Sequence, residues 1–556
     1  MSLPAAGPAA TRALTLAGLA LGPVLVLGVF FVLPVTGMLA RGFWADGSFD
    51  PGAVADVLAR PRVHRVLWFT VWSASAATAL SVLLGLPAAY ALHRLDFPLR
   101  RLVRAALLVP FVLPTVVVGV AFKQLLGESG PLGPLGGLGL DGSPVAIVLG
   151  LTFFNVSVVI RVVGGTWESL DRRPAEAAAA LGASPAQVFR TVTLPALRPA
   201  IVSAASVVFL FCAAGFGVVL TLGGLRYATV ETEIYLLTTN LLDLQGAAAL
   251  SILQLVVVTV LLAVAGRLRA VPDPSVSRDL APVRRPRPAD VPVLGATAVL
   301  LLFVGVPIAT LVSGSLRVGG AWSLGNYRAL TTEGSEQALL VPVTEALAFS
   351  LRTAVDATWM SLLLGLLVAV VVTRRSRSRA ERRVRATLDG FFMLPLGVSA
   401  VTVGFGFLIT LDRPPLDLRD TALLVPVAQA LVALPLVVRT LVPVLHSVDD
   451  RQRQAAASLG ASPLRAVLTV DLPVVWRPLL AAAGFAFAVS LGEFGATSFL
   501  ARDDRPTVPV VIFRLIGHPG AMNYGMALAA SVVLAATTAL VMLAVERLRV
   551  PSVGAL

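Results

Sequence analysis

Leu181-Gly182-Ala183-Ser184-Pro185 recurs unchanged as Leu459-Gly460-Ala461-Ser462-Pro463, 278 positions further along a chain of 556 residues. A Leu-Pro pair follows each copy at the same distance, as Leu194-Pro195 and Leu472-Pro473, and an Ala-rich run precedes each copy. A chain that repeats such a segment at half its length indicates a tandem duplication. Because each copy stands between long apolar runs, the duplicated unit is a membrane module that carries a structured loop.

The composition indicates that most of the chain lies in lipid. Hydrophobic residues make up 57% and charged residues 13%, whereas soluble domains are about half apolar and a quarter charged. Twelve apolar runs approach the roughly 20 residues that a spanning helix needs, six in each half: Ala13–Leu39, Val66–Leu92, Ala105–Leu126, Val145–Val163, Ala200–Thr221, Gly246–Ala265, Val291–Val312, Phe349–Val372, Leu388–Leu411, Thr421–Leu445, Leu479–Leu500 and Tyr524–Val545. We therefore expect an all-α integral membrane protein of about twelve transmembrane helices in two homologous six-helix halves.

Loop charge predicts the orientation, because cytoplasmic loops carry an excess of basic residues. The densest arginine runs follow the second and eighth apolar runs and fill the linker between the halves: Arg94, Arg100, Arg101, Arg104, Arg374, Arg375, Arg377, Arg379, Arg382, Arg383, Arg385, Arg267, Arg269, Arg278, Arg284, Arg285 and Arg287. The first loop on the other side, with Arg41, Arg60, Arg62 and Arg65, is the clearest exception. On balance both termini and both repeated segments are expected in the cytoplasm. A nucleic-acid partner is not expected, since these arginines lie in loops on one side of a membrane.

The sequence divides into a first half at 1–270, a Pro/Arg-rich linker at 271–290 and a second half at 291–556. The linker lacks apolar periodicity and is expected to be a flexible tether. The first apolar run is interpreted as a retained span rather than a signal peptide, because it lacks a convincing cleavage site and recurs as the seventh run.

Two counts limit the chemistry of the chain. The only lysine, Lys123, precedes Gln124, whereas a P-loop needs Gly-Lys-Ser/Thr. We therefore expect no ATP-binding motif and no enzyme activity in this chain, so that any ATPase is a separate polypeptide. The only cysteine, Cys212, excludes an internal disulfide and a cysteine-based metal site, and no cofactor or metal is expected.

Each repeated segment predicts a short helix, a turn and a second helix. Pro174 suits a first helical turn, the run Ala175–Leu181 favours helix, and Gly182 is a left-handed stop. Ser184-Pro185 then begins a new helix, which Gln187 completes as a capping box. A two-turn helix outside the membrane is stable mainly when a partner grips it, so the segment is expected to bind another subunit.

These segments resemble the EAA loop of bacterial ABC-importer permeases, a family in which the short helix is the coupling helix that inserts into a cleft of the ATP-binding subunit. The matching residues are Glu176, Ala177, Ala178, Gly182, Leu194 and Pro195 in the first copy and Gln454, Ala455, Ala456, Gly460, Leu472 and Pro473 in the second. Gln454 replaces the family's acid. The resemblance implies the type I ABC importer permease fold, two cytoplasmic ATP-binding subunits, an extracytoplasmic solute-binding protein and the cytoplasmic membrane of a bacterium.

Two six-span halves in one chain resemble the fused permeases of thiamine and iron(III) importers. The segments most similar to the thiamine permease are Leu222-Gly223-Gly224, Ala228-Thr229, Glu231, Ile234-Tyr235, Ser490–Gly495 and Thr507-Val508-Pro509, with Glu493 where Asp is usual. Iron(III) permeases share the architecture and a similar acidic Phe-Gly element. The resemblance thus implies ATP-driven import of a small solute, with thiamine preferred, iron(III) second and another small solute still open.

Three residues inside the apolar runs are candidates for the solute path or its gate. Glu493 lies deep in a span, where a charge is costly unless it is paired or faces water; it either touches the path or has a structural role as a cap or ion pair. Pro114 and Pro395, near the start of the third span of each half, predict kinks that either line the path or only bend the helix.

Two other classes of protein fit less well. A secondary transporter of twelve spans also arises by duplication, but it requires ionisable residues at mid-membrane and no elaborate loop between the fourth and fifth spans. A membrane-anchored enzyme requires a catalytic constellation, and the four histidines, His64, His93, His446 and His518, are scattered along the chain.

Overall fold

A computed structural model describes residues 8–45, 48–127, 130–133, 140–224, 226–268, 283–374, 379–412 and 416–547. The first half contains α1 (Pro8–Leu27), a π-helical turn (Gly28–Val32), α2 (Leu33–Phe43), β1 (Trp44–Ala45), β2 (Ser48–Phe49), α3 (Pro51–Ala59), α4 (Pro61–Arg94), α5 (Arg100–Leu108), a 3-10 turn (Val109–Phe111), α6 (Thr115–Leu126), α7 (Pro144–Ser169), α8 (Arg173–Ala180), α9 (Pro185–Val188), a π-helical turn (Phe189–Thr193), α10 (Leu194–Ala213), α11 (Gly217–Gly223), α12 (Val230–Thr239) and α13 (Leu244–Leu268).

The second half repeats this order almost element for element. It contains a 3-10 turn (Pro288–Asp290), α14 (Val291–Ser315), β3 (Arg317–Val318), β4 (Ala321–Trp322), α15 (Gly325–Ala329), a 3-10 turn (Ser335–Gln337), α16 (Val343–Thr373), α17 (Arg379–Met393), a 3-10 turn (Leu394–Gly397), α18 (Ala400–Thr410), α19 (Leu424–Ser447), α20 (Asp450–Ser458), α21 (Pro463–Ala466), a π-helical turn (Val467–Asp471), α22 (Leu472–Leu491), α23 (Thr497–Leu500), α24 (Val508–Gly517) and α25 (Ala521–Arg547).

Most of the expected spans are long, continuous helices. Within the described residues, ten helices are long and apolar enough to cross a membrane. The all-α membrane fold in two similar halves is therefore confirmed. The β-strands form only two short antiparallel hairpins, β1–β2 and β3–β4, each of which directly follows the first span of its half.

The third span of each half is not continuous, contrary to the prediction for Ala105–Leu126 and Leu388–Leu411. In the first half α5 and α6 meet at 104°, around the turn that contains Pro110 and ends at Pro114. The second half breaks at Pro395, before the 11-residue helix α18. Proline removes a backbone donor and clashes with the preceding turn, so a helix that contains it at this place ends and restarts.

The predicted fifth and eleventh runs, Ala200–Thr221 and Leu479–Leu500, are broken as well. The long helix α10 ends at Ala213 and α11 begins at Gly217, while α22 ends at Leu491 and α23 begins at Thr497. Each break contains a Phe-Gly pair, Phe216-Gly217 or Phe494-Gly495, preceded by Gly215 or Glu493. Both halves therefore combine long spans with half-length helices that begin inside the bundle.

Equivalent contacts recur in both halves. The backbone N–H of Val230 donates to Thr70 Oγ1 at 3.0 Å, and that of Val508 donates to Ser350 Oγ at 2.8 Å. The spans α4, α7 and α10 pack together in the first half, as α16, α19 and α22 do in the second. When the broken pairs α5–α6 and α17–α18 are each counted as one span, six spans separate equivalent positions, so both halves run in the same direction. They are parallel repeats, with α8 and α20 on one side of the membrane, here called the cassette side, and both hairpins on the opposite side.

Part of the linker is ordered. Residues 269–282 lie outside the described residues, but 283–290 pack against the end of α4. Arg284 exchanges backbone hydrogen bonds with Arg94 and Asp96 and forms an ion pair with Asp290 at 2.7 Å. The hydrogen bond to Asp290 holds the pKa of Arg284 above its ordinary value. The expectation of a flexible tether is therefore wrong for these residues.

Candidate functional site: the paired loops and the cavity between the halves

The first cassette, residues 173–195, has the predicted helix, turn and second helix. Glu176, Ala177 and Ala178 lie on α8, which buries none of its side chains. Gly182 has φ of +88°, so the left-handed stop is confirmed, and the backbone N–H of Ala183 closes the helix end by donating to the carbonyl of Ala178 at 3.1 Å. Only glycine adopts such a φ without steric cost.

The second helix of the first cassette begins with the predicted capping box. The backbone N–H of Ser184 donates to Gln187 Oε1 at 2.8 Å, and the backbone N–H of Gln187 donates to Ser184 Oγ at 3.4 Å. A π-helical turn then leads into α10 at Leu194-Pro195. The loop is thus a defined structure that returns the chain to the membrane.

The second cassette, residues 451–473, has the same geometry. Gln454, Ala455 and Ala456 lie on α20, Gly460 has φ of +83°, and the N–H of Ala461 donates to the carbonyl of Ala456 at 3.0 Å. A π-helical turn again precedes α22, which starts at Leu472-Pro473. Glu176 and Gln454 are both exposed, so the acid-to-amide difference between the cassettes changes only the charge of an exposed site.

Each cassette has an exposed leucine at the end of its first helix. Leu181 and Leu459, the residues before the two glycines, are each 90% exposed. Burying a leucine fully releases about 1.5–3 kcal/mol. Two such side chains at equivalent places fit a surface that another protein covers. The repeated Leu-Gly pair is the sequence pattern that indicates these exposed leucines, although no role for them was predicted from the sequence.

A buried ion cluster anchors the second cassette to the membrane helices. Asp471, 1% exposed, accepts from Arg374 at 2.5 Å and from Arg453 at 2.8 Å. Arg374 follows α16, Arg453 lies on α20, and Asp471 directly precedes α22. The cluster therefore ties the exposed helix to two spans at once. Thr193 occupies the equivalent position in the first half.

The first half has a different cluster at the same side. The carboxylate of Glu168, near the end of α7, lies 2.9 Å from His93 Nδ1, 3.6 Å from Arg104 and 4.0 Å from Arg100. This cluster joins α4, α5 and α7 but includes no residue of the cassette. The two loops thus have the same backbone and unequal ionic anchoring, which sequence spacing alone does not reveal.

Between the halves lies a cavity of about 1950 Å³, larger than the roughly 300–1,000 Å³ of most small-molecule sites. Its wall contains the three predicted path residues, Pro114, Pro395 and Glu493, together with Glu231, Phe216 and Phe494. The wall extends along α5, which joins the cassette-side end of α4 to α6. The structure therefore brings the predicted residues of both halves to one space that reaches toward the cassette side.

Glu493 has a structural role that the sequence left open. Its carboxylate accepts from the backbone N–H of Ala496 at 2.7 Å and from that of Thr497 at 3.0 Å. It therefore satisfies the first donors of α23, where an uncapped helix end inside a membrane would be costly. Only 6% of Glu493 is exposed, although it borders the cavity.

An aromatic cluster lies where the halves meet. The rings of Phe216 and Phe494 stack with centroids 5.2 Å apart, and these two residues occupy the same position in the repeat. Tyr235 lies 5.4 Å from Phe216, and the equivalent residue Phe513 lies 5.5 Å from Phe494. The pair therefore marks the pseudo-two-fold axis between the halves. The repeated Phe-Gly of the two breaks was the available sequence signal.

On the side opposite the cassettes, ion pairs hold the start of α4 to α12 and to the residue before α13. Arg62 binds Glu233 through two bonds of 2.5 and 2.9 Å, and Arg60 lies 2.6 Å from Asp243. Burial acts to raise the pKa of Asp243, but the hydrogen bonds from Arg60 and from the N–H of Gly246 outweigh it and leave the pKa below its ordinary value.

Two halves around one large cavity, each with an exposed helical loop on the same side, define a transport permease. The chain belongs to the family of binding-protein-dependent transport system inner membrane components, whose model matches residues 81–278 in the first half and 361–549 in the second. Members of this family are multi-pass inner-membrane permeases of ABC importers, which work with ATPase and solute-binding partners and are not themselves enzymes.

Curated relatives match both halves together. The chain is 28% identical over 511 residues to the thiamine transport system permease protein ThiP of Brucella abortus strain 2308, covering 87% of this chain and 90% of that protein. It is 29% identical over 465 residues to ThiP of Escherichia coli K12, covering 81% and 83%. A molybdenum transport system permease protein ModB of Mycobacterium tuberculosis H37Rv is 34% identical over 239 residues, which are 41% of this chain and 86% of that protein.

Replacing Asp471 by Asn is expected to release the second cassette. Removing one member of a buried ion pair costs about 3–5 kcal/mol, and here it leaves two arginines without their carboxylate. Trypsin should cut after Arg451 and Arg453 at least tenfold faster in the variant, measured on the purified protein by mass spectrometry. Thr193→Ala, the same position in the first half, is the control and should leave cleavage unchanged. Equal cleavage of the Asp471 variant and the wild type would contradict the anchoring role.

Proposed function

We propose that the chain is the permease subunit of a binding-protein-dependent ABC importer for thiamine. The observation that carries the proposal is the match of both fused halves, in order, to permeases named for thiamine transport, over 87% of this chain. The ModB match spans only 41% of the chain, so it supports the architecture of one half rather than the solute.

The cassettes are proposed as the docking sites of two separate ATP-binding subunits. Support comes from two helices of the same geometry on the same side, each with a 90% exposed leucine beside a left-handed glycine. Two equivalent docking helices fit two copies of one ATPase. In this mechanism Glu176, Gln454 and their neighbouring alanines lie in the contact, while Leu194-Pro195 and Leu472-Pro473 transmit its movement to α10 and α22.

Both termini and both cassettes are proposed to face the cytoplasm, and a solute-binding protein is proposed to deliver its ligand at the hairpin side. The arginine content of the linker and of the loops after α4 and α16 supports this orientation. We also propose that the chain divides into two halves at 1–270 and 291–556, joined by 271–290. The repeated cassette and its flanking spans support this division.

Import is proposed to proceed by alternating access around the pseudo-two-fold axis. The stacked Phe216 and Phe494 close the path between the halves, and the cavity beyond them reaches toward the cassette side. Docking and closure of the ATPase dimer would move the cassettes, separate the halves at the aromatic pair and open the opposite side. Pro114 and Pro395 line this path at the two helix breaks.

Replacing both cassette glycines by valine is expected to abolish ATPase docking. No atom lies within 4 Å of a Cβ added at Gly182 or Gly460, so the space around the Cβ is open and the substitution mainly tests the φ angle. A β-branched residue avoids the left-handed region, whereas Asn tolerates it. Co-purification of the ATP-binding subunit should be lost with Gly182→Val plus Gly460→Val and retained with the two Asn replacements. Retention with valine would contradict the coupling role.

A deletion strain should lose uptake of labelled thiamine, and the plasmid-borne gene should restore it. Ferric iron uptake, measured in the same cells, should be unchanged. Thiamine uptake unchanged in the deletion strain, with iron uptake lost, would replace thiamine by iron(III) and leave the permease family intact.

A further inference from the structure

Buried carboxylates away from the cavity are neutralised by arginine. Glu233 is bound by Arg62, Asp290 by Arg284, and Asp471 by both Arg374 and Arg453. This is the normal arrangement, because an ionised carboxylate in a low-dielectric interior is unfavourable without an opposite charge.

The two carboxylates that border the cavity differ. Within the described residues, neither Glu231 nor Glu493 lies within ion-pair distance of a basic side chain. Glu231 is fully buried, and its Oε2 accepts from Ser399 Oγ at 2.6 Å while its Oε1 accepts from Gln254 Nε2. All the hydrogen-bond donors of both carboxyl groups are neutral, so no donor compensates the charge of either group when it is ionised.

Of these two carboxylates, only Glu231 has hydrogen-bond donors that a ligand can replace. The donors of Glu493 are backbone N–H groups of the next helix, which move together with it. Ser399 belongs to the other half, where it precedes α18, and Gln254 lies on α13. When the halves separate, Glu231 loses the Ser399 hydroxyl and its carboxylate becomes available to a ligand.

The cavity wall also contains two aromatic rings, which stack on each other in this structure and whose facing surfaces would open to the path when the halves separate. Phe216 and Phe494 border the same space as Glu231, and an aromatic face attracts a cation within about 6 Å of its centroid. A carboxylate beside aromatic rings suits a positively charged ring or a quaternary nitrogen better than a metal ion, which needs several oxygen or nitrogen ligands. No group of three or more metal-binding side chains occurs among the residues that were described.

Only the first half has a carboxylate at the position of Glu231. The position of Glu231 is occupied by Pro509 in the second half, although the preceding Thr229-Val230 and Thr507-Val508 form equivalent contacts. The two halves therefore differ in charge at this position of the path.

We propose that Glu231 is the residue that recognises the positive charge of the solute inside the translocation path. The inference rests on the proposed thiamine function, because the thiazolium ring of thiamine is a permanent organic cation. During transport the carboxylate of Glu231 exchanges the Ser399 hydroxyl for this ring, which the two phenylalanine faces cover.

The test compares Glu231→Gln with Glu233→Gln, a matched control on the same helix that removes the same charge outside the cavity. Transporters carrying each change are reconstituted in liposomes with their ATPase and binding protein. Uptake of labelled thiamine, normalised to assembled transporter, should fall at least tenfold with Glu231→Gln. Glu233→Gln breaks the pair with Arg62 and should lower the amount of assembled transporter, but uptake per assembled transporter should stay within twofold of wild type. Glu231→Asp should recover most of the loss.

A second measurement does not depend on thiamine transport. Binding of the 3-methylthiazolium ion to the permease in nanodiscs, followed by saturation-transfer NMR, should weaken at least tenfold in Glu231→Gln. Binding of neutral 4-methylthiazole should not change. Equal uptake and equal thiazolium binding in Glu231→Gln and wild type would overturn the inference and show that Glu231 only stabilises the start of α12.

The two proposals fail in different ways. If the wild type imports no thiamine but binds thiazolium through Glu231, the assigned solute is wrong and the cation site stands. If the wild type imports thiamine and Glu231→Gln does so equally, the solute stands and the role of Glu231 is wrong. If the wild type does neither, both are wrong.

Discussion

The contact between Phe216 and Phe494 is the constraint on which the rest of the arrangement depends. One residue of the repeat meets its own copy there, with ring centroids 5.2 Å apart, and only a position at the pseudo-two-fold axis brings equivalent residues together. The large buried cluster around this pair contains apolar side chains of both halves, including Val116 and Phe405. The cavity, the two cassettes and the two broken third spans then take their positions from the same axis.

Several helices around this axis begin inside the membrane, and the backbone N–H groups at the start of each one need hydrogen-bond partners. Backbone groups cannot remain unpaired in the hydrocarbon region. Glu493 caps α23, Ser399 Oγ accepts from the N–H of Thr402 at the start of α18, and Thr70 binds the N–H of Val230 at the start of α12. These polar side chains near the centre of the bundle therefore accept hydrogen bonds from the backbone at helix starts. Glu231 stands apart because its donors are side chains of other elements.

The sequence predicted what is local and repeated. The duplicated halves, the helix–turn–helix of each cassette, the left-handed Gly182 and Gly460 and the capping box at Ser184 all follow from short-range rules, and all are present. Whether these loops bind ATPase subunits stays a prediction. Pro114 and Pro395 predicted kinks in the third spans, although not that the helices end there. The breaks in the fifth spans of both halves were missed because hydropathy measures length and apolarity but not continuity. The pairs Arg374–Asp471 and Glu231–Ser399 were missed because residues 97 and 168 positions apart are joined only by tertiary packing.

Solute uptake after the two halves are cross-linked at positions 216 and 494 tests whether transport requires them to separate there. The only cysteine, Cys212, is buried, so Cys212→Ala provides a thiol-free background for Phe216→Cys and Phe494→Cys. A short bis-methanethiosulfonate, which forms a reducible disulfide with each of the two thiols, should then join the two halves and stop solute uptake in proteoliposomes. Reduction of these disulfides should restore uptake, and each single cysteine variant should keep its uptake after treatment with the reagent. Uptake that continues in fully cross-linked protein would contradict the account, because the halves would then transport without separating at Phe216 and Phe494.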